Sequence, residues 1–363
     1  MEVRSVARSV AFGSLMLASS LSYSQSSVSL YGIIDTAVEY YNHAAGGGSF
    51  AGMPTLTGEI PSEWGLTGAE DLGGGNKAIF KLENGFAPGT GGFNYGGREF
   101  GRQAYVGLQN AWGTLTLGRL VNMTTYALLN ADVIGPSTHS LYVFDSYLPN
   151  ARSDNAIGYM GKFAGVTIGG TYSFGRDAAG PAGPAATNCP GQVPGNFLAC
   201  KQYTALLAYD SSQFGLVASY DRMRGNTGAS APLTSAAYTD TRTIVDGYFT
   251  LTRLKVGGGW IHRSLSAGTA STLYNLYFLG LTYMPIASLA FDAQVDKYIQ
   301  EHVTSSTNLV ARANYYLSPH TTVYASVGYM INGRNGRNPV AAGGTVETGA
   351  QQLGMMAGVR HVF

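Results

Sequence analysis

The sequence predicts an all-β chain: a transmembrane antiparallel β-barrel of about 16 strands. Three observations carry that prediction. Apolar and polar residues alternate almost to the last position, the connectors divide into long and very short ones, and the composition is low in charge without being apolar. Only 12% of the 363 residues are charged, about half of the quarter usual in a soluble domain. Yet mean hydropathy is near zero, which argues against a bundle of membrane helices. A wall with one face in lipid and one in water gives that average. Lys and Arg number 22 against 21 Asp and Glu, so charge points to neither nucleic acid nor an acidic partner. Length alone suggests about two domains, but no linker or charge run divides the chain.

The N-terminus reads as a signal peptide over residues 1–24, leaving 25–363 as the barrel. Arg4 and Arg8 form the positive region, Val10 to Leu17 the apolar core, and small residues follow through Ser24. The rival reading is a membrane anchor, but the apolar run falls short of the ~20 residues a spanning helix needs. No later stretch supplies such a run. Cys189 and Cys200, the two cysteines, share a Pro/Gly-rich stretch. Outside the cytoplasm a disulfide closing that loop is the reading, with free thiols the alternative. A metal site is set aside, because two thiols without a nearby His are too few ligands. No metal or cofactor is expected anywhere in the chain.

From Gln25 the alternation has strand period. Val28, Leu30, Ile34 and Val38 share one face, and Ser29, Tyr31, Asp35 and Glu39 the other. Val166, Ile168, Tyr172 and Phe174 oppose Thr167, Gly169, Thr171 and Ser173; Leu289, Phe291, Ala293 and Val295 oppose Asp292, Gln294 and Asp296. At the end Leu353, Met355, Ala357, Val359 and Phe363 share a face with His361. Tight turns are expected at Leu72–Gly75, Gln109–Ala111, Gly161–Phe163 and Ser211–Gln213. Long loops are expected at His43–Gly58, Pro88–Gly97, Val121–Asn150, Arg176–Cys200, Gly225–Thr239 and Asn332–Thr348. Long loops on one side and tight turns on the other is the layout of an outer-membrane barrel. An unpaired backbone group in hydrocarbon costs several kcal/mol, so such a sheet must close. At about 16 strands the lumen is too wide for side chains to fill, and water enters. Tyr, Phe, Trp64, Trp112 and Trp260 suit interfacial girdles.

Several segments carry more than a pattern. QSSVSLYGIID from Gln25, WGLTGAEDLGGGNKAIFKLE from Trp64, FGRQAYVGL from Phe100, GTLTLGR from Gly113 and the terminal GVRHVF closely resemble the Gram-negative general porins, beta-proteobacterial branch. The resemblance runs collinearly from Gln25 to Phe363. It implies a 16-stranded trimeric barrel, set among the lipid and lipopolysaccharide of the outer membrane. Its third long loop would fold into the lumen and form an eyelet, with loop carboxylates facing basic side chains on the wall. Phe363 matches the residue that the barrel-assembly machinery recognises in such proteins.

Carried onto this chain, the third loop is Val121–Asn150, its carboxylates Asp132 and Asp145, and Gly135-Pro136 supplies a bend. Alternation puts Lys81 on the lumen face, because Phe80 and Leu82 point outward. It also turns Arg152 and Asp154 inward, counted from Ile157 and Tyr159 on the lipid face. Arg152 matches a family eyelet arginine just after the third loop. Arg102 and Arg119 match family motifs, and alternation leaves their side open near the rim. The expected eyelet therefore sets Lys81 and Arg152 against Asp132 or Asp145. One departure matters: Glu63 and Thr67 stand on the lumen face where the family usually carries basic residues. That change predicts a pore less anion-selective than its relatives, nearly neutral or cation-leaning.

The function read from the sequence is passive diffusion of ions and small hydrophilic solutes. A substrate-specific channel is the nearest alternative, with Tyr126, Tyr142, Phe144 and Tyr147 able to line a path. A barrel enzyme is disfavoured: His43, His139, His262, His302, His320 and His361 form no metal-spaced pair and no nucleophile context, and read as ordinary surface histidines. A plugged structural or adhesive barrel is the third reading.

Overall fold

The structure, a computed structural model, describes residues 27–54, 57–181 and 183–363. The signal-peptide expectation for residues 1–24 lies outside the described residues. The chain runs through β1 (Ser27–Asn42), β2 (Ser49–Gly52), β3 (Glu63–Gly73), β4 (Asn76–Gly85), β5 (Gln103–Asn110), β6 (Gly113–Val121), β7 (Arg152–Phe163) and β8 (Val166–Ser173). It continues through β9 (Gln202–Asp210), β10 (Phe214–Arg224), β11 (Thr239–Thr250), β12 (Leu254–Ala267), β13 (Ala270–Ile286), β14 (Leu289–Gln300), β15 (Thr304–Tyr316), β16 (Thr321–Asn332) and β17 (Gln352–Val362). All but β2 form one closed antiparallel ring of 16 strands, each paired with its neighbours in the chain. β2 is a short addition inside the expected first loop, paired with the top of β1 from Glu39 to Asn42.

Closure happens at β1. Its upper part, Ile33 to Tyr41, pairs with β17, while Ser27 to Ile33 pairs with β3 on the other side. Where the pairing with β3 ends, the chain before β3 supplies hydrogen bonds in place of a ladder. The Asp35 carboxylate accepts from the amides of Glu59 at 3.2 Å and Ile60 at 2.8 Å, and the Asp35 amide donates to Ser62 Oγ at 2.9 Å. Phe363 completes the seam by exchanging two backbone bonds with Gly32, each 3.0 Å. Edge groups that hydrocarbon would leave unpaired are thereby satisfied.

The faces invert those of a soluble sandwich. Leu207, Leu216 and Leu279 are 57–61% exposed on the outside, whereas inward Ile244, Asp296, Asn308 and Gln352 are buried. Trp112, 76% exposed, sits at the tight turn between β5 and β6. Tight turns lie at one rim. The opposite rim carries the long loops, although its connections after β12 and β14 are also short. The Sγ atoms of Cys189 and Cys200 are bonded within the loop between β8 and β9, with Cα atoms 5.3 Å apart.

Candidate functional site: the narrowed lumen

The third loop, between β6 and β7, leaves the rim and lies inside the ring against the inner wall. Asn122 caps a short helix, α1 (Met123–Leu128), by accepting from the Thr124 amide at 3.2 Å. The helix packs on β8 to β11. Thr124 Oγ1 donates to Asp221 Oδ2 at 2.8 Å, and Tyr147 Oη donates to the same oxygen at 2.6 Å, so both arms of the loop meet on β10. Beyond the helix the loop grazes the wall at Gly257 and Gly280. A Cβ at Gly257 would sit 2.2 Å from the Ala131 carbonyl, and one at Gly280 2.5 Å from Val133 Cγ2. Only a bare backbone lets the loop approach this closely.

Each following segment has its own anchor. Arg312 of β15 donates to the carbonyls of Val133 and Ile134 at 2.9 and 3.0 Å, while its guanidinium pairs with Asp292 and Glu59. Asp132 accepts from Gln294 of β14 at 2.9 Å and from the Gly135 amide at 3.0 Å. His139 is fully buried, with Nδ1 3.0 Å from Ser326 Oγ of β16 and its carbonyl accepting from Asn308 at 3.1 Å. Phe144 stacks on Tyr298 of β14 with centroids 5.1 Å apart. Asp145 accepts from Arg242 Nε at 2.7 Å and Nη2 at 3.0 Å, with Arg263 at 3.6 Å. Burial opposes ionisation there, but the two guanidinium groups hold the Asp145 carboxyl down at about 2.

The facing wall holds a second charged group. Glu83 of β4 pairs with Lys81 and with Arg102 Nε, both at 2.9 Å, and accepts from Tyr31 Oη at 2.6 Å. Arg102 also pairs with Glu63 and donates to Tyr95 Oη at 2.9 Å. Arg152 lies at the foot of the third loop, 4.6 Å from the Tyr95 ring centroid. It donates to the carbonyls of Arg102 and Pro149 at 3.0 and 2.8 Å. No described carboxylate lies within ion-pair distance of Arg152. Tyr126 and Tyr142 of the loop turn toward this wall. Burial first, then the Glu83 carboxylate, pushes the Tyr126 phenol up. A cavity of about 530 Å³ opens on the long-loop side of the narrowing, lined by Phe93, Tyr95, Pro136, Tyr142 and Pro149. A second, of about 500 Å³, opens on the tight-turn side between Gln103, Tyr105, Thr116 and Tyr126. A closed barrel with a loop folded inside it and a cavity toward each rim has the form of a channel. Residues 11–335 match the family described as Gram-negative porin. The chain belongs to that family.

Relatives extend the match. Outer membrane porin protein 32 of Delftia acidovorans is 29% identical over 96% of this chain and 97% of its own length. An outer-membrane porin protein of Bordetella pertussis is 35% identical over 41% of this chain and 43% of that protein. Among solved structures, the anion-selective porin from Comamonas acidovorans superposes with a TM-score of 0.78 at 24% identity. That superposition covers 93% of this chain and 100% of the other. This porin is accordingly a channel of the outer membrane, not an enzyme.

Not every residue singled out from the sequence stands where alternation put it. Lys81, Arg102, Arg152 and Glu63 gather on one wall. Among the described residues no ion pair joins Lys81 or Arg152 to Asp132 or Asp145, because the loop carboxylates turn back to β14 and β11. The inward count for Asp154 fails at Asn155, whose φ of +47° interrupts the alternation. Ser153 instead meets Gln202, and Asp154 pairs with Arg98 at 3.1 Å and with Arg119, tying the second loop to the fourth. His139 is no surface histidine. Glu83, Asp221, Arg242 and Arg312 were missed. Glu83 was legible as the i+2 neighbour of Lys81, and Arg242 from the alternation in Thr239–Thr243.

Burial pushes the His139 imidazole down to about 4. A histidine kept neutral in the docked loop favours docking fully above its ordinary value near 6.5, and the contribution fades as pH falls from there to about 4. It amounts to at most ~3 kcal/mol. Protease cleavage within residues 136–143 should therefore rise across that window, and His139→Leu should remove the rise. Cleavage independent of pH in the unmodified protein would count against it.

Proposed function

We propose that this porin is a general diffusion channel with a nearly neutral filter, and that its narrowest passage runs between the wall of Lys81, Glu63, Arg102 and Arg152 and the loop tyrosines Tyr126 and Tyr142. The observation that carries this reading is the turning of Asp132 and Asp145 away from the passage. Selectivity is then left to the wall, where Lys81 and Arg102 pair with Glu63 and Glu83 and Arg152 stands beside them without a carboxylate partner. One uncompensated positive charge gives a weak preference for anions, well below that of a pore with a basic residue at position 63. Rings of charge bias entry in this way without any conformational cycle. Arg119 and Asp154 act at the rim, holding loops. Bilayer recordings under a salt gradient test the proposal: reversal potentials near zero are expected, and strong selectivity of either sign would overturn it. The vestibule of Phe93, Tyr95 and Pro149 supports a second reading, a substrate-specific channel, which predicts competitive block of conductance by a sugar or phosphate.

A solved structure of the same fold, OmpT of Vibrio cholerae in a form described as a trimer, superposes with a TM-score of 0.64 at 13% identity over 93% of this chain and 99% of that one. A homotrimer is the assembly proposed for this chain, with the lipid and lipopolysaccharide of the outer membrane as its surroundings. Phe363, exposed at the seam, is the proposed mark for the barrel-assembly machinery.

A further inference from the structure

Arg152 stands on the charged wall without a carboxylate, and a side chain of the second loop covers it. Its guanidinium carbon lies 4.6 Å from the centroid of the Tyr95 ring, and that of Arg102 lies 5.9 Å from the same centroid. Arg102 Nη1 also donates to Tyr95 Oη at 2.9 Å. Arg152 spends Nε and Nη1 on the carbonyls of Arg102 and Pro149, which leaves its Nη2 without an acceptor among the described residues. A place beside two guanidinium forks is one that an anion seeks, because each fork offers parallel N–H donors. The face of a tyrosine attracts a cation through its quadrupole but carries no net charge. Tyr95 thus meets both arginines without neutralising either.

The seat of Tyr95 is built for it. Its φ of +55° is left-handed, a conformation that costs a bulky residue energy and persists only where the surroundings impose it. Arg98 supplies that constraint. Its Nη1 donates to the Tyr95 carbonyl at 2.6 Å and to the Ala185 carbonyl of the fourth loop at 3.0 Å, while Nη2 pairs with Asp154 and Asp177. Two glycines clear space for the side chain. A Cβ at Gly101 would lie 2.6 Å from Tyr95 Cβ, and one at Gly85 would collide with Tyr95 Cε2. The cavity on the long-loop side is lined by Tyr95, Tyr142 and Pro149 but by neither Arg102 nor Arg152. An ion arriving from that side meets the ring before the guanidinium groups.

We infer that Tyr95 sets the ion preference of the passage by filling the place beside Arg102 and Arg152 that an anion would otherwise take. The inference rests on the near-neutral filter proposed above and names the side chain that keeps Arg152 from making it anion-selective. The test measures reversal potentials of the full chain in planar bilayers under a gradient of dilute potassium chloride. Tyr95→Ala should raise the chloride-to-potassium permeability ratio about twofold or more, the effect of shortening an anion's closest approach to one charge in water from ~8 to ~4 Å. Tyr95→Phe restores the ring and should cancel the gain. Made in an Arg152→Gln background, Tyr95→Ala should leave the ratio where that background puts it, which a role confined to holding the second loop does not require. An unchanged ratio in folded Tyr95→Ala channels overturns the inference, and so does an equal gain without Arg152. Sulfate applied to the unmodified protein gives an arm that needs no variant. With the place filled, millimolar sulfate should leave the potassium chloride conductance unblocked. Block would mean that anions already lodge there, and it overturns the inference even if Tyr95→Ala fails to fold. The absolute reversal potential of the unmodified protein tests the near-neutral reading separately, since the inference stands on the change made at Tyr95.

Discussion

Asp145→Asn is expected to release the middle of the third loop while leaving the barrel standing. The substitution keeps the shape but removes the charge that Arg242 and Arg263 share. Arg242 is buried and then retains only Asp240, at 3.2 Å. Removing one partner of a buried ion pair costs ~3 kcal/mol or more, since the remaining charge stays desolvated. The ring does not need that contact, because its ladders are intact without it, so the cost falls on docking of residues 141–150. At ~3 kcal/mol, cleavage within that segment by a protease acting on the open form should quicken about a hundredfold. Open-channel noise should grow in step. Pairing Asp145→Asn with Arg242→Met should recover most of the loss, because no lone guanidinium is then buried. The pH behaviour carries the same sign. With the carboxyl held at about 2, its contribution is complete above about 4 and fades as acid approaches 2. Cleavage as slow in Asp145→Asn as in the unmodified protein would remove Asp145 from this role.

Glu63→Arg should convert the near-neutral filter into an anion-selective one. The change alters the wall by two charges and leaves Arg102 with Glu83 alone. Two unit charges about 8 Å from a passing ion in water are worth ~1 kcal/mol, or about fivefold for chloride in one direction and potassium in the other. The reversal potential in dilute potassium chloride should shift accordingly. It should return toward the unmodified value near 1 M salt, where the screening length is about 3 Å. A potential unmoved at low salt would mean that position 63 lies off the conducting path.

Much of the barrel was legible because its rule is local. Alternation from Val28 to Val38 or from Leu289 to Val295 needs no tertiary information, and the long third, fourth and eighth loops announced themselves by composition. The ring of 16 followed from counting segments. The charged narrowing was legible only in part. Alternation gave Lys81 and Glu63 their shared side, but a single irregular residue, Asn155, was enough to misdirect Asp154. The partners of Asp132 and Asp145 could not be read at all. Each contact spans about a hundred residues or more and depends on how far the loop travels across the lumen. His139 looked like a surface residue because nothing local announces that a loop turns inward and is covered on all sides.

The third loop touches β10 through Tyr147, β11 through Asp145, β14 through Asp132, β15 through its Val133 and Ile134 carbonyls, and β16 through His139. These footholds are spread over nearly half the circumference, and each side chain has a fixed reach. The loop therefore works as a gauge of girth. A ring assembled with one strand too few or too many would change the curvature under it, and the footholds could not all be occupied at once. Substitutions at Asp145 or His139 should then be felt twice, in the passage of ions and in the uniformity of the barrels that form.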